Sequence, residues 1–480
     1  MEEEGSNINN NTTTSCPPLK IYFLPFPAPG HMIPMVDLAR VFATRSNNNN
    51  THVTLLTTPS NAQPLLQNKQ QFHIHTFDFP SNQVGLPPGL ENLSSAKNSI
   101  TAHKVCTAMD LLMSQIESFV KQNPPHALIL DFICIRRFSF SDLGIPIIPF
   151  NPMPIFATCI FEAINNSHVS LASSDSIITV PGDLPHPMTL HVNPSYGFRA
   201  LAHPFLQAKH SGRKHGIIVN SFAELEAGYT EYYQKLTGVR VWHLGISSLM
   251  VKNEYPLRDN IDECLLSWLS TKEPNSVVYI CFGTLCLLRR EQCLELARGI
   301  EASRKGFLWV VPEDDEEFQV PEGFGDEGMR GKVVRGWVPQ VLILNHPAIG
   351  AFFTHCGWTS VGEGISAGLP MITMPRFGEQ FFNERLVNEV HGLGVEVGAW
   401  EWSMSPYDAK NKVVSWERIE KAVRMVMEAD SGGTLRKRAK EMKEKACKAV
   451  QQGGSSYHNL TSLIQSLKQT SLDGRWLDAN

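Results

Sequence analysis

Short apolar, β-branched runs alternate along this chain with longer stretches of helical period, and that alternation confines it to parallel βαβ units. In the first half KIYFLPF, HVTLLTT, FHIHTF, HALILD and IPIIPF read as strands, closed by GIIVN and VRVWHLG. Residues 32–43 and 99–120 read as helices between them. A second series runs SVVYICF, GFLWVV, KVVRG, GAFFTH, LPMIT and GVEVG, followed by charged helices over 416–450 and a last helix over 455–468. At 480 residues the chain is too long for one core. The expected fold class is α/β, two Rossmann-like domains facing across a cleft. The divisions are a disordered tail over 1–18, a first domain over 19–246 and a polar linker over 247–261. A second domain follows over 262–452, then 453–480, a helix that packs back on the first domain plus a tail. The aperiodic stretches 173–204 and 312–329 read as pocket-lining loops.

Composition removes several classes. A formal charge of −5 offers no basic field for a polyanion, so no nucleic acid is expected. No run reaches the roughly 18–20 apolar residues that a membrane span needs. The start, MEEEGSNINNNTTTSCPP, is acidic and polar, unlike a secretory signal. The ten cysteines are scattered without metal-type pairs, and Cys281 and Cys286 sit in apolar surroundings as reduced thiols do. A cytoplasmic monomer is the expectation.

The stretch WVPQVLILNHPAIGAFFTHCGWTSVGEGISAGLPMITMPRFGEQ, from Trp337 to Gln380, carries the densest chemistry. Its strand Gly350–Thr354 runs through His355-Cys356-Gly357-Trp358 into a helix over Thr359–Ala367. A helix start there aims free N–H groups and roughly half a positive charge at an anion. His355, Thr359 and Ser360 add donors for a diphosphate, and Thr284 in the turn Phe282-Gly283-Thr284 adds another. Glu363 lies one turn deeper than Thr359 on the same face, where a carboxylate accepts from both hydroxyls of a ribose. Trp337 offers a flat face for a base, Gln340 polar reach to the nucleoside, and Glu379 and Gln380 acceptors and donors for sugar hydroxyls. Taken singly, Trp337 reads as a core aromatic, Glu363 as solvated surface and His355 as a core histidine. Their joint spacing makes a nucleoside diphosphate sugar site.

The box resembles the signature box of plant UDP-dependent glycosyltransferases, and the resemblance extends from KIYFLPFPAPGHMIPMVDLAR to the C-terminal helix. It implies the two-domain GT-B architecture, with the first domain binding an acceptor and the second a UDP-sugar co-substrate; no other cofactor is implied. Trp337, Gln340, His355, Ser360, Glu363, Glu379 and Gln380 match the family's donor-binding positions, and Val338, Gly357, Trp358, Thr359 and Thr284 complete the candidate set. Gln380 with Trp358 is similar to the glucose-using pattern. KEPNSVVYICFGT, GHMIPMVDLARVFA and VGAWEWS resemble the subgroup acting on triterpene sapogenins and flavonoids. The chain departs from the family at Thr359, where Asn is usual, at Thr284 for Ser, at Met374 for Trp, and at Arg376 and Gly378. Arg376 near Glu379 opens an alternative, an acidic sugar such as glucuronate.

Pro29-Gly30-His31 follows the first strand at the carboxyl edge where parallel sheets bind ligands. An imidazole there can take a proton from an acceptor hydroxyl. Asp131 ends HALILD at the same edge, and a buried carboxylate would fix the ring's tautomer. Alone, His31 is a polar helix start and Asp131 a turn former; the resemblance makes them the catalytic pair. After Asp131 the chain is one residue shorter than the family's usual length and carries Arg136-Arg137. Phe132, Phe150 and Phe156 are candidate acceptor-pocket walls, or ordinary core. The expected chemistry is one inverting displacement: His31 deprotonates the acceptor hydroxyl, which attacks the anomeric carbon as UDP leaves. It needs no metal, because no Asp-x-Asp motif stands in the donor region. Two rivals remain. One is a protein that binds UDP-sugar with little or no transfer. The other is a dinucleotide oxidoreductase, which PAPGHMIP in place of G-x-G-x-x-G speaks against.

Overall fold

The computed structural model describes residues 18–46, 51–67, 70–135, 144–165, 176–180, 182–192, 215–251, 259–286, 288–313, 320–321, 324–325, 330–399 and 412–472. Arg136 and Arg137, half of the stretch 173–204, much of 312–329, the middle of the 247–261 segment and the two terminal tails lie outside the described residues.

The first half contributes β1 (Leu19–Leu24), β2 (Thr51–Thr57), β3 (His73–Thr76), β4 (Ala127–Asp131) and β5 (Ile147–Asn151). An antiparallel hairpin, β6 (Ser176–Thr179) and β7 (Thr189–Val192), precedes β8 (Ile217–Val219) and β9 (Val241–His243). Seven of these form one parallel sheet, ordered β3-β2-β1-β4-β5-β8-β9. The second half supplies β10 (Val277–Cys281), β11 (Gly306–Val311), β12 (Gly331–Arg335), β13 (Ile349–Thr354), β14 (Met371–Thr373) and β15 (Gly394–Glu396). They form a six-stranded parallel sheet, ordered β12-β11-β10-β13-β14-β15. Each strand order reverses beside its first strand, at β1/β4 and at β10/β13. That reversal opens a crevice at the carboxyl edge, where ligands of doubly wound sheets bind.

Helices cover both faces, so the central strands are apolar throughout; β4 and β13 are buried at every residue. The helix Pro29–Ser46 follows β1, with Pro29 at its first position and Pro34 one turn in. The helix Ser99–Gln122 is started by Asn98, whose side chain accepts the Thr101 N–H at 2.9 Å. The charged helices expected over 416–450 are two, Trp416–Met427 and Ala429–Val450, separated by extended backbone at Glu428.

The described ends of the 247–261 segment are helical. It opens with a helical turn, Ser247–Met250, and Asp259 begins the helix Asp259–Ser270. Ser247 is buried and its N–H donates to Asn220 Oδ1 at 2.9 Å. The helix Ser455–Leu472 crosses back to the first sheet. Its Leu460, Leu463, Ile464 and Leu467 pack in one core with Leu19, Ile21 and Trp242. Another core joins the halves, running from Leu130 and Phe161 to Trp358, Val361 and Phe382.

Candidate active site

At the β1/β4 reversal, the turn after β1 delivers His31 while β4 ends at Asp131. His31 Nδ1 lies 2.9 Å from Asp131 Oδ2, although the residues are 100 apart in sequence. The Asp131 carboxylate is fully buried and Oδ1 also accepts the Ile133 N–H at 3.0 Å, while the His31 side chain keeps 21% of its exposure. Because Nδ1 faces the carboxylate, Nδ1 carries the proton and Nε2 holds the free lone pair. Burial pulls the His31 pKa down. The charge and hydrogen bond of Asp131, helped by Glu379, outweigh it and leave the group above its ordinary 6.5. Phe132 lies nearly parallel to the His31 ring at 6.0 Å, and Phe26 meets it edge-on at 5.6 Å.

Glu379 belongs to the other half, so its influence on His31 puts the second sheet's edge across the cleft from the first. Burial raises the Glu379 carboxyl, and His31 opposes that rise. Two elements of the second half frame this side: the helix Trp358–Ala367, entered from β13, and the helix Gln380–Arg385, entered from β14.

The entry from β13 is tight. Cys356 adopts φ +65°, a left-handed backbone that costs a non-glycine residue roughly 1–2 kcal/mol. Gly283, φ +74°, and Gly357 clasp the His355 ring: a Cβ on Gly283 would lie 2.7 Å from Cε1, and one on Gly357 2.5 Å from Nε2. Only glycine permits this approach. Burial pushes His355 down to about 4, against a backbone interaction with Cys281. His355 is therefore a neutral ring at the helix start. Ser360 is buried in the first turn, and Thr284 is exposed on the bend after β10.

Deeper on that helix, burial raises Glu363 to about 7, with the Gln340 hydrogen bond opposing and the Asp37 charge adding. Gln340 Nε2 donates to Glu363 Oε2 at 2.6 Å and approaches Ser360 Oγ at 3.4 Å. Tyr279 OH donates to Gln340 Oε1 at 3.0 Å, which fixes the amide's orientation. Trp337 stands at the rim with 53% of its surface exposed, unusual for so large an apolar side chain. Gln340, Ser360 and Glu363 thus form one hydrogen-bonded group beside the start of the helix Trp358–Ala367.

Several expectations need correcting. Phe150 lies in the core with Ile148 and Trp242, on the sheet face away from the Phe132 cluster, so it walls no acceptor pocket. Phe156 is fully buried, packed edge-on against Tyr229 at 4.7 Å. The Trp358 indole is buried and donates to the Asn220 carbonyl at 2.7 Å, which leaves only its backbone for a ligand. Val338 is core, and its carbonyl accepts the Gln340 N–H. Gln380 Oε1 accepts the N–H groups of Arg376 and Phe377 at 2.9 and 3.1 Å, so only its Nε2 is left for a sugar. Thr359 Oγ1 points across the cleft, 3.5 Å from the Gly30 carbonyl. Pro34 has no N–H to give that carbonyl in the ordinary i→i−4 pattern. Arg376 is buried beside Cys286, inside its own half, which removes the ground for preferring an acidic sugar.

Sequence reasoning missed Asn220, Tyr279 and Asn383. Asn220 Oδ1 and carbonyl hold Ser247 and Trp358, and Asn383 Nδ2 donates to the Cys356 carbonyl at 2.9 Å. Each is a polar side chain beside an apolar strand or helix turn, a signal too common to single out.

Comparison with known proteins agrees with this geometry. The family profile described as UDP-glucoronosyl and UDP-glucosyl transferase matches residues 246–427. The UDP-glucosyl transferase 73CC6 of Saponaria officinalis is 40% identical over 94% of this chain and 97% of its own. The UDP-glucose flavonoid 3-O-glucosyltransferase 7 of Fragaria ananassa is 38% identical over 95% and 99%. Among solved structures, Glycyrrhiza uralensis UGT73P12, complexed with glycyrrhetinic acid 3-O-monoglucuronide, superposes with a TM-score of 0.83 at 33% identity, covering 95% of this chain and 97% of that one. On that identity and coverage, and on a fold with a ligand edge on each of two Rossmann-like sheets, the chain belongs to the plant UDP-dependent glycosyltransferases and is an enzyme of that class.

Proposed function

We propose that this enzyme transfers glucose from UDP-glucose to a hydroxyl of a small lipophilic plant metabolite, a triterpene sapogenin or flavonoid, in one inverting displacement. The observation that carries the reading is the His31–Asp131 pair, 2.9 Å apart and facing Glu379 across the cleft. His31 Nε2 takes the acceptor proton as the oxygen attacks the anomeric carbon and the bond to UDP breaks. Asp131 stabilises the imidazolium that forms. The charge left on the diphosphate falls at the start of the helix Trp358–Ala367, where N–H groups are already aimed. Trp337 takes the uracil, Glu363 with Gln340 the ribose, and Glu379 with the Gln380 amide the sugar hydroxyls.

Glucose is supported by the Fragaria ananassa relative, named for UDP-glucose and a flavonoid, and a triterpenoid acceptor by the ligand of the Glycyrrhiza uralensis structure. We read the division of labour as acceptor binding by residues 19–246 and donor binding by 262–452, in a cytoplasmic monomer that needs no metal. Among the described residues, no helix is long and apolar enough to cross a membrane.

The test is a transfer assay with purified protein, UDP-glucose and a panel of sapogenins and flavonoids, read by product mass. A gain of one hexose that disappears in His31→Ala supports the reading. UDP-glucose bound without transfer to any acceptor would favour a donor-binding protein instead.

A further inference from the structure

Asn383 lies in the first turn of the helix Gln380–Arg385, is fully buried, and donates from Nδ2 to the Cys356 carbonyl at 2.9 Å. Cys356 is the left-handed residue of the turn between β13 and the helix Trp358–Ala367, and its N–H is held by Thr354 Oγ1 at 3.2 Å. The strained peptide is thus gripped at both ends, and the grip has a geometric consequence. On one side of Cys356 stands His355, wedged between Gly283 and Gly357; on the other begins the helix whose N–H groups face the diphosphate. Asn383 itself is four residues past Glu379 and bonds back to its carbonyl at 3.0 Å. One side chain therefore ties the element bearing Glu379 and Gln380 to the turn bearing His355 and the helix start.

We propose that Asn383 is a positioning residue for the donor site, holding Cys356 in its left-handed conformation so that the diphosphate-facing and sugar-facing elements keep one fixed spacing. The proposal rests on the donor reading above but touches no ligand. A strained φ persists only where its surroundings over-determine it, and the Asn383 amide is the restraint arriving from a separate element. An asparagine is required because a donor must reach a carbonyl in a buried place; Asp would present a second acceptor there.

The decisive measurement is UDP affinity by calorimetry, which needs neither sugar nor acceptor, together with separate KM values for UDP-sugar and acceptor. Asn383→Ala should weaken UDP about tenfold and raise the UDP-sugar KM to match, with the acceptor KM unchanged. The second variant separates positioning from simple loss of packing. In the Asn383→Ala background, Cys356→Gly removes the left-handed penalty and should bring UDP affinity back to within about threefold of wild type. Cys356→Ala, which empties the same space but keeps the penalty, should not. Should Asn383→Ala fail to fold, Asn383→Ser with the same pair of Cys356 changes gives the same comparison. Equal rescue by glycine and alanine, or an unchanged UDP affinity in the Asn383 variant, overturns the proposal. Wild-type binding of UDP checks the donor reading by itself, and the ratio between variants checks the positioning role.

Discussion

At the scale of single residues, on the roles proposed for them, two groups set how the enzyme answers pH. His31 as the base must be neutral at Nε2 to act, and its pKa is raised above the ordinary 6.5 because Asp131 outweighs burial. At saturating donor, acceptor kcat/KM should therefore fall as pH drops through that raised value. Asp131→Asn removes the charge and leaves burial to dominate, so the acid limb should move to lower pH while the rate drops about 10²–10⁴-fold; a pH–rate profile of the two proteins checks the sign. Glu363, raised to about 7 by burial, loses its charge in the same range, and a protonated carboxyl no longer accepts from both ribose hydroxyls. The UDP-sugar KM should rise as pH falls from 8 to 6, and in Glu363→Gln it should be high and flat. The sequence made these groups legible by type but not by partner. Read alone, His31 is a polar helix start and Asp131 a turn former; the family resemblance singles them out, and nothing local says that residues 100 apart meet at 2.9 Å. Of the two readings open for Phe150, ordinary core is the one found, and a cue was present: Ile148 and Phe150 share one sheet face.

Elements were read more reliably than single side chains, because an apolar run long enough to cross a buried sheet leaves a strong pattern. Each apolar run assigned to a strand contains one, from β1 to β15. What stayed hidden was structure whose stability comes from elsewhere. The hairpin β6–β7 is short and off the main sheet, and the turn Ser247–Met250 is held by Asn220 rather than by its own propensity. The helix Ser455–Leu472 shows how strongly packing matters, since it is mostly polar but buries Leu460, Leu463 and Leu467 at 1% exposure each against the first sheet. Leu463→Ala should cost about 2–5 kcal/mol and lower the denaturant midpoint with no change of slope. An unchanged midpoint would show that this helix adds nothing to the first half's stability.

At the scale of the whole molecule, two sheets of one strand order set their reversal points face to face, one carrying His31 and Asp131, the other Gly283 and His355. The seam between them is apolar core joined by specific bonds: Trp358 to the Asn220 carbonyl, Phe161 edge-on to Phe382 at 5.0 Å, and His391 against the Leu225 carbonyl at 2.8 Å. Trp358→Phe deletes one buried bond, a loss of about 1–3 kcal/mol, and leaves part of the indole's buried space unfilled. Hydrogen exchange across the turns around residues 220 and 357 should quicken, and the UDP-sugar KM should rise. Exchange as slow as in wild type would mean the packing alone sets the seam.

The return of the C-terminal helix to the first sheet makes the chain pass between the halves twice, and the two passages touch. At Gly245, φ +99°, a Cβ would lie 2.5 Å from Val450 Cγ1 and 3.5 Å from Ser456 Cβ. The first half is thus built from two separate lengths of sequence that meet in space. Anyone recombining such enzymes to graft one plant's acceptor preference onto another's sugar preference has to splice at both passages. A single crossover near residue 246 would seat a foreign C-terminal helix on Leu19, Ile21 and Trp242. The resulting hybrid would carry its mismatch in the core that also packs Met32, Met35 and Val36, on the helix whose first turn holds His31.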